Sequence, residues 1–473
     1  MTLTITNLIP ATFIFLSNLI IITAPLLRKI SIKFVVNLIL ILALILTINQ
    51  KNIDLTPLGS FFIFNNYTNI IQIIIIISSI SYILITPNEN KYIYGKNGSN
   101  TLYILILYSI ISLLILINSY DFLTIYLTIE FHSIASYILA AYKKDSKLST
   151  EAGLKYLTIG ALASGILLFG LSYIYGWGGI SNVGDVYYYL INEKDINIGI
   201  ILGLLLIIVA FLFKIGAVPY HQWLPDIYEG SPTVITAYFA IVPKIAIIGI
   251  LTQILVIGFS EMKEYWIKII IISSILSMII GSLGAFIQKD MKRLLAYSTI
   301  AHIGYILIGL IVNTNESISY LIIYLIISMI SYLGTFGILL KMNKENINLI
   351  DLKGLAKEYP KEAIMLAILL FSMAGIPPLA GFFGKYIMFL SVINTEYYYL
   401  AIIGFITSTI SAAYYIRVIQ YMYFYNKREN EIKIEKDVMK DNIIMISIIL
   451  LLSFVVIPEQ IIEGGLKIAI GII

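Results

Sequence analysis

Apolar runs of about twenty residues, separated by short breaks rich in charge, Gly, Pro or Asn, recur from one end of the chain to the other. Such runs match the roughly 20 residues that a helix needs to cross the hydrocarbon core of a bilayer. They lie at 6–27, 32–49, 69–86, 101–118, 121–142, 151–175, 197–218, 233–258, 265–287, 293–313, 317–340, 363–394, 397–426 and 442–457. The pattern predicts an all-α, polytopic membrane protein of about 14 transmembrane helices. The first run has no charged leader segment and no small-residue cleavage site after a short apolar core, so it reads as a retained helix and not a signal peptide.

Two positions break the pattern in the same way. Lys214-Ile215-Gly216-Ala217-Val218-Pro219 ends one run, and Ala374-Gly375-Ile376-Pro377-Pro378-Leu379-Ala380-Gly381 interrupts another. Each couples a Gly with a Pro that cannot donate to the helix ladder. Pro219 frees the carbonyl of Ile215, and Pro377 and Pro378 free those of Met373 and Ala374, which protein or water must then satisfy. Each break lies fourth in a block of five runs, 101–258 and 265–426. An odd count makes the second block enter the membrane from the opposite face, so two inverted five-helix repeats are expected, each with a broken helix at Gly216/Pro219 or Gly375/Pro377/Pro378. Residues 1–100 supply N-terminal transmembrane helices, and 427–473 a charged loop and a C-terminal helix.

Composition narrows the class. Of 473 residues 59% are hydrophobic and 12% charged, and the mean hydropathy of +0.93 excludes an ordinary soluble enzyme. The absence of cysteine excludes thiolate-held clusters, thiol nucleophiles and disulfides, and no metal site is read from the chain. A net charge of +4 raises the question of nucleic acid. The basic residues are scattered between apolar runs and form no basic face, so no nucleic-acid partner is expected. Their distribution is topological: odd-numbered loops hold 21 of the 31 Lys and Arg, even loops and the C-terminal tail hold 5, and the rest fall inside runs. Cytoplasm-like loops collect such residues, which puts both termini on the outer side and the loops 341–362 and 427–441 on the inner side.

Charges inside the runs are costly, about 2.5–3.5 kcal/mol each at a helix centre, and so point to function. Among acidic residues only Glu130 lies well inside a run, on a stripe with Tyr126, Ser133 and Tyr137. Ser298, His302 and Tyr305 repeat the spacing, although His302 reads equally well as a satisfied core histidine. The intramembrane bases are Lys155, Lys214, Lys244, Lys385 and Arg417. Lys155 and Arg417 lie near enough to run ends to snorkel; Lys214, Lys244 and Lys385 do not. Lysine can release its proton when buried, whereas arginine keeps it, so Lys and His gated by one Glu form a candidate proton relay. Lys214 has the C-terminal end of a half-helix to support its charge, and Lys385, two turns beyond Pro377, is expected to lack that support.

The segments KIGAVPYHQWLPDIYEGSPTVITAYFAIVPKIA at 214–246, KRLLAYSTIAHIGY at 292–305 and AGIPPLAGFFGKY at 374–386 closely resemble the family of subunit 2 of respiratory NADH:ubiquinone oxidoreductase, complex I, over about residues 101–426. His221, Trp223 and Lys385 favour subunit 2 over the related subunits 4 and 5. Val234 departs from the second proline usual there. The resemblance implies fourteen helices and kinship to subunits of cation/proton antiporters. It implies that Glu130 and Lys214 pair, that Lys244 is the central relay, that His302 bridges it to Lys385 on the exit side, and that Lys155 and His221 are accessory groups. It also implies no cofactor in this chain, with NADH, FMN, iron–sulfur clusters and ubiquinone in partner subunits, and other membrane-arm subunits, including other antiporter-like ones, as partners. Function is then proton translocation driven by quinone reduction elsewhere, the alternative being a free-standing cation/proton antiporter. Heavy use of Ile, Asn, Lys, Phe and Tyr, with 35 Tyr against 3 Trp, looks like the product of an AT-rich organelle genome. The mitochondrial inner membrane is therefore expected, with a bacterial plasma membrane as the alternative and lipids as neighbours in either case.

Overall fold

The computed structural model describes residues 8–23, 31–50, 61–87, 98–192, 196–342, 344–426 and 433–470. Among these, helices make up almost all regular structure, and the only β pairings are isolated bridges. In chain order the helices are α1 Ile9–Thr23, α2 Ile32–Ile48, α3 Asn66–Ile85, α4 Gly98–Asn118, α5 Phe122–Ala140, α6 Lys147–Gly178, α7 Val183–Asn192, α8 Ile198–Ile215, α9 Trp223–Gly230, α10 Thr233–Ile241, α11 Pro243–Gln253, α12 Lys263–Ile287, α13 Met291–Val312, α14 Asn315–Leu339, α15 Leu355–Glu358, α16 Pro360–Ala374, α17 Ala380–Ile393, α18 Tyr399–Phe424, α19 Val438–Val456 and α20 Pro458–Ala469.

Ten helices among the described residues are long and apolar enough to cross a membrane, or eleven if α19 and α20 form one bent span. The 233–258 run is one of them, but Pro243 divides it into α10 and α11, and a π-turn at Ile254–Gly258 ends it. The shortfall from fourteen has a length-based cause. Helices α1, α2 and α17 are apolar but short, and the 363–394 run is split into α16 and α17 by its prolines.

Burial orders the bundle. Helices α13, α14 and α10–α11 are enclosed by protein, whereas only 33% of α18 and 39% of α6 is buried, which leaves them apolar faces for lipid or neighbouring subunits. Cross-loop contacts sort by the parity of the loops. At one end the amide of Tyr120 donates to Phe61, that of Val183 to Tyr120, and Lys263 to the carbonyl of Val312. At the other end Lys143 pairs with Glu345, the amide of Met291 donates to Ile347, that of Glu435 to Lys341, and Lys33 donates to the carbonyl of Thr86. All the basic odd-numbered loops that are described therefore gather at one end. Arg28, Lys29, Lys51, Lys91, Lys96, Lys194, Lys427 and Arg428, also used in the charge comparison, lie outside the described residues.

Several local structures occur twice. Asp121 caps α5 by accepting from the amides of Leu123 and Thr124 and bridges to Asn182; Asp290 caps α13 by accepting from Lys292 and Arg293 and bridges to Asn348. The first cap lies at the even-loop end and the second at the odd-loop end. The two breaks also match. Gly216 (φ +79) donates to Phe213 and Ala217 to Leu212, and Gly375 (φ +84) donates to Ser372 and Ile376 to Phe371. Both are left-handed glycine helix ends with the longer bond of a Schellman motif.

Candidate functional site

Lys214 stands in the last turn of α8, where the helix dipole favours a cation. Its ammonium donates to the Ser133 hydroxyl of α5 at 2.7 Å and to Ser164 of α6 at 3.1 Å. The expected direct pair with Glu130 is not formed: Glu130 Oε1 is buried without a hydrogen-bond partner, and its charge acts on Lys214 through space. The reason is local, because Ser133, three residues on along the same helix face, reaches Lys214 first. The stripe Tyr126, Glu130, Ser133 and Tyr137 does turn inward, with Ser133 and Tyr137 buried. The Tyr137 ring fits against Gly160 of α6, where a Cβ would meet its hydroxyl at 2.2 Å.

Lys244 follows Pro243 at the start of α11. It donates to the hydroxyl of buried Tyr228 at 2.9 Å and lies over that ring at 5.3 Å from the centroid. Tyr228 comes from α9, the short helix beyond the first break, so the break presents a hydroxyl to the central lysine. Between Lys244 and His302 lies a cavity of about 20 Å³, also lined by Thr299, Ser328 and Tyr332. One water fits such a volume.

His302 of α13 is buried, with Nδ1 2.6 Å from the Tyr324 hydroxyl and Nε2 3.4 Å from that of Tyr415. Tyr415 continues to Ser298, and Ser298 to Tyr332. His302 is thus a satisfied core histidine and also part of a hydroxyl chain. Tyr305 donates no charge but faces one: Lys385 lies 5.2 Å from its ring centroid, and its hydroxyl meets Thr407.

Lys385 is buried in α17 and donates to Ser408 at 3.0 Å and to the carbonyl of Ala374 at 2.9 Å. The expectation that it lacks helix-end support is corrected by this bond, since Ala374 is the last residue of the half-helix α16. Gly375 makes it possible; a Cβ there would sit 3.0 Å from Cδ of Lys385.

The accessory groups lie elsewhere. Lys155 pairs with Glu151 at 2.9 Å and Asp226 at 3.1 Å in a partly exposed cluster, where Arg293 joins Asp226 to Glu229. His221 is half-buried, edge-on to Tyr297 at 6.5 Å, with Nδ1 unpartnered. Neither touches the row of lysines. Arg417 donates to the carbonyls of Phe286 and Gln288 and so closes the end of α12. Sequence reading missed the hydroxyls of Ser109, Ser164, Tyr228, Tyr324, Tyr415 and Ser408, and it missed His132. This third histidine, next to Ser133 and two residues from Glu130, could have been found as a second ionisable residue inside a predicted span.

No three His, Asp or Glu side chains converge as a metal site among the described residues. The arrangement can pass protons between amines, imidazoles and hydroxyls. A helical bundle with two matched helix breaks, each meeting an ammonium, defines the class of antiporter-like polytopic membrane proteins. Residues 119–411 match the family described as NADH:quinone oxidoreductase/Mrp antiporter, TM. The chain belongs to that family. It is 34% identical over 480 residues, covering 98% of this chain and 97% of the other, to NADH-quinone oxidoreductase subunit N of Paramagnetospirillum magneticum. It is 43% identical over 369 residues, covering 76% of this chain and 74% of the other, to NADH-ubiquinone oxidoreductase chain 2 of Marchantia polymorpha. Among solved structures, a chain of respiratory complex I from Thermus thermophilus has the same fold, with a TM-score of 0.81 at 24% identity over 96% of this chain and 98% of that one.

Proposed function

We propose that the chain is the antiporter-like, proton-translocating membrane subunit of an NADH:quinone oxidoreductase, corresponding to subunit 2 or N. The observation that carries the reading is the row Lys214, Lys244, His302 and Lys385, in which every cation or imidazole meets a hydroxyl and a water-sized cavity joins the middle two. In this reading Glu130 tunes Lys214 through space, Lys244 is the central relay, His302 bridges, and Lys385 is the exit lysine. Lys155 and His221 serve the end at which the basic loops gather. Proton transfer is the only chemistry of this chain; NADH, FMN, iron–sulfur clusters and ubiquinone belong to partner subunits, and its neighbours are other membrane-arm subunits, including other antiporter-like ones.

The same reading takes the short helices α1 and α2, the broken pair α16–α17 and the bent pair α19–α20 as spans, which gives fourteen. It takes 101–258 and 265–426 as inverted repeats, supported by the doubled Asp caps and glycine breaks. The two other domains are the N-terminal helices of 1–100 and the C-terminal segment 427–473. The membrane is that of a mitochondrion or of a bacterium; the composition rich in Ile, Asn, Lys, Phe and Tyr favours the former, and relatives of both origins are similar. A free-standing cation/proton antiporter is the weaker alternative, because relatives at 34% and 43% identity bear quinone oxidoreductase names.

Replacing Lys244 by Met in the assembled complex and reconstituting it in vesicles tests the proposal. Proton pumping coupled to quinone reduction should fall while native gels show an intact complex. Unchanged proton-to-electron stoichiometry and turnover would overturn it.

A further inference from the structure

His132 is the buried titratable group for which the row of lysines has no use. It lies on α5 two residues beyond Glu130, so it is turned about 200° around the helix and faces α4 and α10, away from α8. Only 4% of it is exposed, and Ser109, Ser136 and Tyr238 around it are fully buried. Both ring nitrogens are engaged: Nδ1 is 2.8 Å from the Ser109 hydroxyl, and Nε2 is 3.3 Å from that of Ser136. Ser109 in turn is 2.6 Å from the hydroxyl of Tyr238. His302 has the same habit in the other half of the molecule, a histidine on the helix capped by an Asp, with a hydroxyl at each nitrogen.

This chain of groups reaches back almost to Lys214. The ammonium donates to Ser133, and Ser133 and Ser136 stand at i and i+3 on α5, about 5–6 Å apart and within the span of one water. Lys214 also acts electrostatically on the imidazole. At the far end Tyr238 belongs to α10, in the same span as Lys244. Apart from the single turn between Ser133 and Ser136, each step from Lys214 to Tyr238 is a hydrogen bond or the two faces of one ring.

Building on the proposed function, we infer that His132 is a proton relay of the first half, carrying protons between Lys214 and the Tyr238 hydroxyl on the span of Lys244. Imidazole suits the step because it takes a proton at one nitrogen and releases one from the other. Ser136 gives its hydroxyl proton to Nε2 and recovers one from the Ser133 side. Nδ1 gives its proton to Ser109, and Ser109 gives its own to the Tyr238 oxygen, whose proton passes to a water on the Lys244 side of the span. Each group ends with as many protons as it began, but the imidazole has exchanged its Nδ1–H for an Nε2–H, so a flip of the ring together with rotation of the hydroxyls resets the chain. An amide side chain at 132 keeps hydrogen bonds to both serines and cannot make this exchange.

The experiment compares His132→Gln, Tyr238→Phe, the double variant and Lys214→Met in the assembled complex in sealed vesicles, reading turnover and proton-to-electron stoichiometry. His132→Gln and Tyr238→Phe should each slow pumping-coupled turnover about tenfold or more, and the double variant should be no slower than either one. Native pumping in His132→Gln with loss in Lys214→Met overturns the relay and leaves the proposed function standing. Native pumping in Lys214→Met overturns the proposed function itself. If His132→Gln does not assemble, Tyr238→Phe, which removes a single oxygen, decides alone: slowed pumping supports the relay and native pumping overturns it.

Discussion

Lys385 donates a 2.9 Å hydrogen bond to the carbonyl of Ala374, across the break that separates its own helix from the preceding half-helix. The carbonyl that Pro378 leaves without an amide partner is thus paired with the buried ammonium, so one contact resolves two costs of placing such groups in a membrane. Lys214 stands in the last turn of the other half-helix. Each break therefore supplies a cation with the negative end of a helix.

Direct packing across the second break makes Gly381 intolerant of any side chain. A Cβ on Gly381 would lie 1.7 Å from the carbonyl oxygen of Ser372, and backbone cannot yield as a flexible side chain would. Gly381→Ala should therefore shift α17 away from α16 and reduce the amount of assembled complex on native gels. Normal assembly and normal turnover would show that the two halves are less tightly tied than this contact requires.

The sorting of loop contacts yields a topological prediction. Lys143 meets Glu345 at the basic end, whereas Gly465 packs on Ser319 and Ile323 at the start of α14. Loop 341–362 and residue 467 should then react with impermeant labels from opposite sides of sealed vesicles, with 341–362 on the inner side. Labelling of both from one side would mean that the helix count is wrong.

Lys341 anchors the basic end. Its side chain has no exposure and donates to Glu362 at 2.7 Å and to Asp441 at 2.5 Å, and Lys361 also reaches Asp441. Burial opposes its charge, but the hydrogen bonds to Asp441 and Glu362 outweigh that and hold the amine above the ordinary lysine value of 10.5. A lysine raised on folding contributes fully below its unfolded value and loses that contribution only as pH climbs through the folded one. The clasp should be indifferent to pH across the neutral range. Lys341→Met should cost about 3 kcal/mol by leaving Glu362 without its partner and Asp441 with Lys361 alone, read as a lower thermal midpoint of the complex.

How much of this was legible beforehand follows from cost. Glu130, Lys214, Lys244 and Lys385 stood out because a charge in an apolar run is expensive, and Gly216 and Gly375 because the same Gly–Pro break, common enough singly, recurs at corresponding places in two five-run blocks. Serine and tyrosine enter membranes cheaply and recur throughout this chain, so Ser133, Tyr228 and Ser408 gave no signal until packing put them against the lysines. Lys155 was legible as a base near the end of its run, but its partners were not. The helix begins at Lys147, at the basic-loop end, and Asp226 comes from a short helix that hydropathy does not resolve.

Glu130 is a test of action at a distance. It is not bonded to Lys214, so Glu130→Gln keeps the packing and removes only the negative charge. Coupled turnover and proton uptake should fall in the assembled complex, and Glu130→Asp, which keeps the charge, should be milder. Equal activities in wild type and Glu130→Gln would exclude an electrostatic role.

Lys385 separates a pump from an inert scaffold. Lys385→Met keeps length and apolar volume and removes the amine, which leaves the Ala374 carbonyl unpaired at about 1–3 kcal/mol. Removing a charge from the membrane interior returns about 2.5–3.5 kcal/mol on insertion scales, so the two effects nearly offset and assembly should survive. Coupled activity should nonetheless drop, because no other titrating group of α17 faces the Tyr305 ring and Ser408. Lys385→Arg is the sharper arm. A guanidinium can still bond the Ala374 carbonyl and keeps the positive charge, so a scaffold would accept it, but it holds its proton and cannot relay one. Turnover and proton-to-electron stoichiometry in vesicles, with assembly checked separately on native gels, should therefore fall in both variants. Normal values in Lys385→Arg would mean that the charge alone matters, and normal values in both would leave the lysine no part in proton transfer.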